Sequence, residues 1–152
     1  MAATSGADMV ARAESLVRDN PFLEFRLDYL KNPSQGLAAL KRFLSYRPEC
    51  IAVATCRRAV NGGKFRGSAA SQLSLLAKAA AAGCQLVDVE LQTAASVKPA
   101  ELAKLHARAA IILSYHDFRG TRKLDETFAQ MQKYSADIYK LVSTANSLYD
   151  NV

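Results

Sequence analysis

Ala110-Ile111-Ile112-Leu113-Ser114-Tyr115-His116-Asp117-Phe118 is the stretch on which the architecture of this chain turns. It opens as an unbroken apolar run, the pattern of a strand covered on both faces in a parallel sheet. It turns polar at its C-terminal end, where Ser114, His116 and Phe118 fall on one face because strand side chains alternate. Histidine is the side chain whose unperturbed pKa, about 6.5, lies nearest neutrality. At a strand end His116 suits a general acid or base, and equally a structural histidine tied to a neighbour.

The same pattern recurs outward in both directions. Downstream, Thr121 can cap a helix to about Tyr134, and residues 137–142 read as a strand carrying Lys140. Upstream, Pro99 opens a helix to about Ala107, and the preceding strand, residues 85–91, places Asp88 and Glu90 on one face. Ser68 can cap an alanine-rich helix that stops at Gly83. A strand at residues 50–57 leads into the glycine-rich loop Asn61-Gly62-Gly63-Lys64-Phe65-Arg66-Gly67. Asn32-Pro33 supplies an N-cap and a first-turn proline for a helix to about Tyr46. Residues 22–28 read as a strand with Phe22, Glu24, Arg26 and Asp28 on one face, and residues 5–19 as an amphipathic helix. Residues 143–152 read as a connection entering another helix.

Strict alternation of helix and strand implies an α/β fold with a parallel sheet in a single domain, residues 1–152. Charged side chains gather at the C-terminal ends of successive strands: Arg26 and Asp28, Arg57, Glu90, His116 and Lys140. Barrels and doubly wound sheets both build their sites there. The composition, 50% hydrophobic and 22% charged, is that of an ordinary globular protein. No apolar run approaches the roughly 20 residues that span a bilayer, and the first residues lack the layout of a signal peptide. Cys50, Cys56 and Cys84 are too few and too irregularly spaced for a disulfide framework or zinc site, so a cytoplasmic setting is expected. The net charge of +6 invites nucleic acid as a partner. However, the basic residues are scattered, and the one dense patch, Arg57, Arg58, Lys64 and Arg66, interleaves a single aromatic. A small anion explains that patch as well, and neither nucleic acid nor membrane is the expected partner.

Lys140 separates the reaction classes. A strand lysine flanked by Ile138, Leu141 and Val142 should lose hydration, and cationic neighbours such as Arg57 would depress its pKa further. A neutral amine can form an imine with a ketone. The imine acidifies the adjacent C–H, which His116 can deprotonate before returning a proton to a leaving hydroxyl. Arg26 and Arg57 would hold a carboxylate and hydroxyls, with Glu24, Asp28 and Glu90 steadying them.

At these residues the chain resembles the type I 3-dehydroquinate dehydratases. The matching motifs are Glu24-Phe25-Arg26-Leu27-Asp28-Tyr29-Leu30, Thr55-Cys56-Arg57 with Gly62-Gly63 and Gly67, Asp88-Val89-Glu90-Leu91, Ser114-Tyr115-His116-Asp117-Phe118 and Asp137-Ile138-Tyr139-Lys140. The resemblance implies a (β/α)8 barrel that removes water from 3-dehydroquinate, giving 3-dehydroshikimate, in the shikimate pathway of aromatic amino acid biosynthesis. It implies no metal and no organic cofactor. Lys140 matches the imine-forming lysine and His116 the general acid/base; Glu24, Arg26 and Arg57 match substrate-contacting positions; Asp28 and Asp88 are placed in support. It admits a homodimer, or fusion to another shikimate-pathway domain.

The chain departs from that pattern twice. Asn61 stands where the family commonly has a glutamate, and an amide carries neither charge nor proton, which implies a weaker proton-transfer step. Five strands are expected where a closed barrel has eight, and the family's later arginine and its lid with serine and glutamine have no counterpart. The expectation is an incomplete barrel, a fragment or a degenerate copy, with two open edges and low activity by itself. The competing readings are a class I aldolase-type barrel using the same lysine, a metal enzyme built on Glu24, Asp28, Glu90 and His116, a non-catalytic interaction module, and a basic nucleic-acid binder.

Overall fold

A computed structural model describes residues 1–151. The strands β1 (Phe22–Arg26), β2 (Ile51–Thr55), β3 (Leu86–Glu90), β4 (Ala110–Asp117) and β5 (Ile138–Ser143) form one sheet in chain order. Every neighbouring pair is parallel. The helices are α1 (Gly6–Leu16), α2 (Pro33–Tyr46), α3 (Ala69–Ala81), α4 (Leu91–Ser96), α5 (Pro99–His106) and α6 (Leu124–Met131). Among the described residues, no helix is long and apolar enough to cross a membrane.

Local chemistry starts these helices. Ser5, Asn32 and Ser68 accept backbone N–H groups of Asp8, Gln35 and Ser71, which would otherwise lack partners in the first turn. Gly83, at φ +111°, turns the chain out of α3.

The register sorts side chains onto two faces. Leu23, Phe25, Ala52, Ala54, Val87, Val89, Ile111 and Leu113 pack under the helices, where Met9, Leu40, Phe43, Leu76, Leu105 and Met131 are also buried. Phe25 meets Phe43 edge-on at 6.0 Å between ring centroids. Burial of each such large side chain contributes about 1.5–3 kcal/mol. The opposite face carries Glu24, Arg26, Thr55, Asp88, Glu90, Ser114, His116 and Lys140, in rows set by the pairs Arg26 with Thr55, Thr55 with Asp88, Glu90 with Ser114, and Ser114 with Lys140.

Several expectations change in three dimensions. β1 stops at Arg26 and a 3-10 turn, Leu27–Tyr29, carries Asp28, so Asp28 is not a strand residue. β3 covers only Leu86–Glu90 of the expected strand 85–91, and a short helix, α4, begins at Leu91, which is therefore not a strand residue. The sixth helix starts after Lys123, whose φ is +61°, and ends at Met131; Thr121 does not cap it. Ser143, expected in the following connection, is the last residue of β5; residues 144–151 hold only a 3-10 turn, Leu148–Asn151, instead of the start of a helix, and Val152 lies outside the described residues. The β1 edge is partly covered: Ala2 bridges Arg26 in parallel, and Arg26 N–H donates to the Met1 carbonyl at 2.9 Å. That contact satisfies backbone groups that an open edge leaves unpaired.

Candidate active site

Arg57, two residues beyond the end of β2, is the hub of the polar face. Its side chain is 6% exposed, and it donates from Nη2 to Asp88 Oδ2 at 2.9 Å and from Nη1 to Ser114 Oγ at 2.8 Å. Ser114 in turn donates to Asp88 Oδ1 at 2.6 Å. Glu90 Oε1 stands 3.6 Å from Arg57 Nη1. A buried guanidinium needs this density of partners, because desolvating a charge costs several kcal/mol unless it is paired.

Lys140 joins at the same oxygen, its Nζ 3.6 Å from Asp88 Oδ2. The apolar enclosure expected around this amine is absent: the side chain is 40% exposed and faces a carboxylate. The physical reason lies in its place on β5, an outer strand of the sheet whose polar face is open beyond it. Glu24 sits in the next row. Burial alone would raise its pKa, but the Thr55 hydroxyl bond at 2.5 Å and the charges of Lys140, the N-terminus and Arg26 hold it below its usual value.

Arg26 and Asp28 form a two-pronged pair at 2.9 and 2.8 Å. Asp28 also accepts the backbone N–H of Lys64 at 3.0 Å, fastening the glycine loop to the end of β1. Asp28 is thus a brace for Arg26, and Asp88 a brace for Arg57 and Lys140. Asn61 lies in the 3-10 turn Ala59–Asn61 and donates to Gln92 Oε1 at 3.3 Å. The next residue, Gly62 at φ +80°, lies under Phe118, whose ring stands 5.9 Å from that of His116. Phe118 follows β4 and is 59% exposed.

Sequence reading missed Gln72 and Thr93. Both are fully buried and hydrogen-bonded to each other, and Gln72 also bonds Glu90. Inside the alanine-rich α3, nothing but the polarity of Gln72 on a buried helix face could have revealed it. The four residues weighed as metal ligands, Glu24, Asp28, Glu90 and His116, do not assemble: among the described residues, no group of three or more His, Cys, Asp or Glu side chains is placed to hold an ion.

The family model for type I 3-dehydroquinase matches residues 1–152. The chain belongs to the type I 3-dehydroquinase family. A 3-dehydroquinate dehydratase of Dehalococcoides mccartyi (strain ATCC BAA-2100) is 36% identical over 148 residues, covering 93% of this chain and 62% of the relative. The type I 3-dehydroquinate dehydratase from Clostridium difficile, solved with covalently modified comenic acid, superposes with a TM-score of 0.87 at 25% identity, over 97% of this chain and 62% of that one. Dehydroquinate dehydratase and shikimate dehydrogenase from S. pombe gives 0.70 at 28%, over 93% of this chain and 30% of that one. The chain thus spans about three fifths of the length of the D. mccartyi and C. difficile proteins. Its five strands are part of the (β/α) barrel of the type I 3-dehydroquinases.

In this member of the family the imidazole has an unusual proton affinity. Burial, then the charges of Arg57, Lys140 and Arg26, push the His116 pKa down to about 4, against the opposing pull of Asp88. At neutral pH the ring is therefore uncharged. Unfolding returns it to about 6.5, so unfolded chains bind a proton that folded chains refuse. Its stabilising effect is complete above that value and is lost as the pH falls from about 6.5 to about 4. His116→Asn is expected to reduce the drop in thermal midpoint between about pH 7.5 and about pH 4.5. An equal drop in variant and parent would refute this.

Proposed function

We propose that this site dehydrates 3-dehydroquinate to 3-dehydroshikimate through an imine on Lys140, within the shikimate pathway. The observation that carries the reading is the convergence of Lys140 and Arg57 on one oxygen of Asp88, on the sheet face that also bears His116. Those groups supply what the reaction asks of a protein: an amine, a base and a cation for the substrate carboxylate.

The Lys140 nitrogen attacks the ketone carbon, and the ketone oxygen departs as water, leaving an iminium. His116 takes a proton from the adjacent carbon; the C–H electron pair forms a C=C bond to the imine carbon as the C=N π pair moves onto nitrogen, giving an enamine. The enamine expels the hydroxyl one carbon further on, which leaves as water with the proton returned by His116. Water then hydrolyses the imine and frees Lys140. Arg57 and Arg26 bind the carboxylate and hydroxyls, and Glu24 contacts a hydroxyl. The scheme needs neither metal nor organic cofactor. With Asn61 in place of an ionisable side chain, proton relay to His116 is slower, which predicts slow turnover. We place the protein in the cytoplasm, as a homodimer or joined to a second shikimate-pathway domain, an arrangement supported by the S. pombe protein.

Borohydride added with 3-dehydroquinate is expected to fix the reduced ligand on Lys140, read as a mass increase on the peptide containing it. Lys140→Ala should abolish the adduct. Labelling of equal extent in Lys140→Ala, or no labelling of the parent chain, overturns the reading.

A further inference from the structure

The side chain of Glu90 is only 2% exposed, and a carboxylate so placed has to be satisfied on both oxygens. Oε1 faces Arg57 and accepts the N–H of Arg58 at 3.3 Å. Oε2 accepts from Gln72 Nε2 at 2.9 Å. The same nitrogen donates to the carbonyl of Cys56, the residue before Arg57, at 2.6 Å. Two acceptors fix which end of the amide is the NH2, and the Thr93 hydroxyl completes the assignment by donating to Gln72 Oε1. Gln72 lies on α3 and Thr93 on α4, and both are fully buried. From behind the sheet, these two helices grip Arg57 at two points: the backbone just before it and the carboxylate beside its guanidinium.

We propose that Gln72 and Thr93 are positioning residues for Arg57, fixing its guanidinium through the Cys56 carbonyl and the Glu90 carboxylate and so setting where a substrate anion is held. The consequence for catalysis rests on the reading of Arg57 as the substrate-binding cation; the positioning itself can be measured without turnover. The reporter is His116, which is faced by Arg57, Asp88, Lys140 and Arg26. Of the three cations, Arg57 depresses its proton affinity most, so an Arg57 that drifts away lets His116 titrate at higher pH.

The experiment is an NMR titration of His116 in the full chain, with His106, paired to Asp137 at 2.8 Å, as the internal reference. Thr93→Val nearly preserves volume and removes only the hydroxyl; Gln72→Met removes the amide. Both are expected to raise the His116 midpoint by about half a pH unit or more. Thr93→Ser keeps the hydroxyl and is expected to titrate as the parent does. A residue that merely fills the core would lower the unfolding temperature and leave the His116 midpoint where it was. An unshifted midpoint in folded Thr93→Val overturns the proposal, whether or not Gln72→Met folds. Borohydride trapping on the same samples separates the two claims. A parent chain that traps nothing refutes the reaction, while the His116 shift still judges Gln72 and Thr93.

Discussion

Arg57→Met is expected to destabilise the chain by about 3–5 kcal/mol, the cost of removing one partner from a buried ionic cluster. Methionine fills much of the space but leaves Asp88 and Glu90, each 2% exposed, without the cation between them. Ser114 also loses the donor that reaches its hydroxyl at 2.8 Å. The remaining cation, Lys140, is 3.6 Å from Asp88 and partly in solvent, where a charge pair is worth little. In a domain of this size the loss corresponds to a fall in thermal midpoint on the order of 10 °C. Adding Asp88→Asn to Arg57→Met should cost less than Asp88→Asn does in the parent, because one of the stranded charges is removed. A single-variant loss below about 1 kcal/mol in urea unfolding would mean that the guanidinium is not the hub.

Gly63→Ala is the second large effect, and it acts on the same residue through the backbone. A Cβ at position 63 would stand 2.0 Å from the Arg57 carbonyl oxygen and 2.5 Å from the Arg57 Cβ. That carbonyl already accepts the N–H of Phe65 at 3.0 Å, while Gly63 N–H donates to Arg58 at 3.0 Å. The loop is therefore folded onto the strand end, with no room between them. Rotamer change cannot relieve a clash with a carbonyl, so the loop or Arg57 itself must move. The expected cost is about 3 kcal/mol, read from urea unfolding. Gly120→Ala is the control: its Cβ would meet only the side-chain nitrogen of Asn146, at 3.3 Å, and the expected loss is about 1 kcal/mol or less. Comparable losses in the two variants would refute the argument.

Much of this was legible from local pattern. The apolar runs at β2 and β4, the caps at Asn32 and Ser68 and the turn at Gly83 depend on near neighbours, and each stands where it was expected. The polar ends of successive strands were legible too, because a parallel sheet brings such ends together whatever lies between. The pattern failed where a local signal was overruled. Thr121 offers a cap, yet α6 starts three residues later, after Lys123 in the left-handed region. Residues 22–28 alternate cleanly, yet the chain leaves the sheet at Arg26, and Asp28 folds back to brace Arg26 and the Lys64 backbone.

Periodicity and residue type were enough to specify an α/β chain with its charged side chains, Arg57, His116 and Lys140 among them, at one end of the sheet. Only the folded molecule assigned partners. Arg57 bonds Ser114 across 57 residues of sequence and Asp88 across 31, Gln72 reaches Glu90 from another layer, and Lys140 stands half in solvent beside a carboxylate. A side chain's identity states what it can donate, accept or ionise. Which neighbour satisfies it, and how far water reaches it, depend on distances set by packing between segments far apart in the chain.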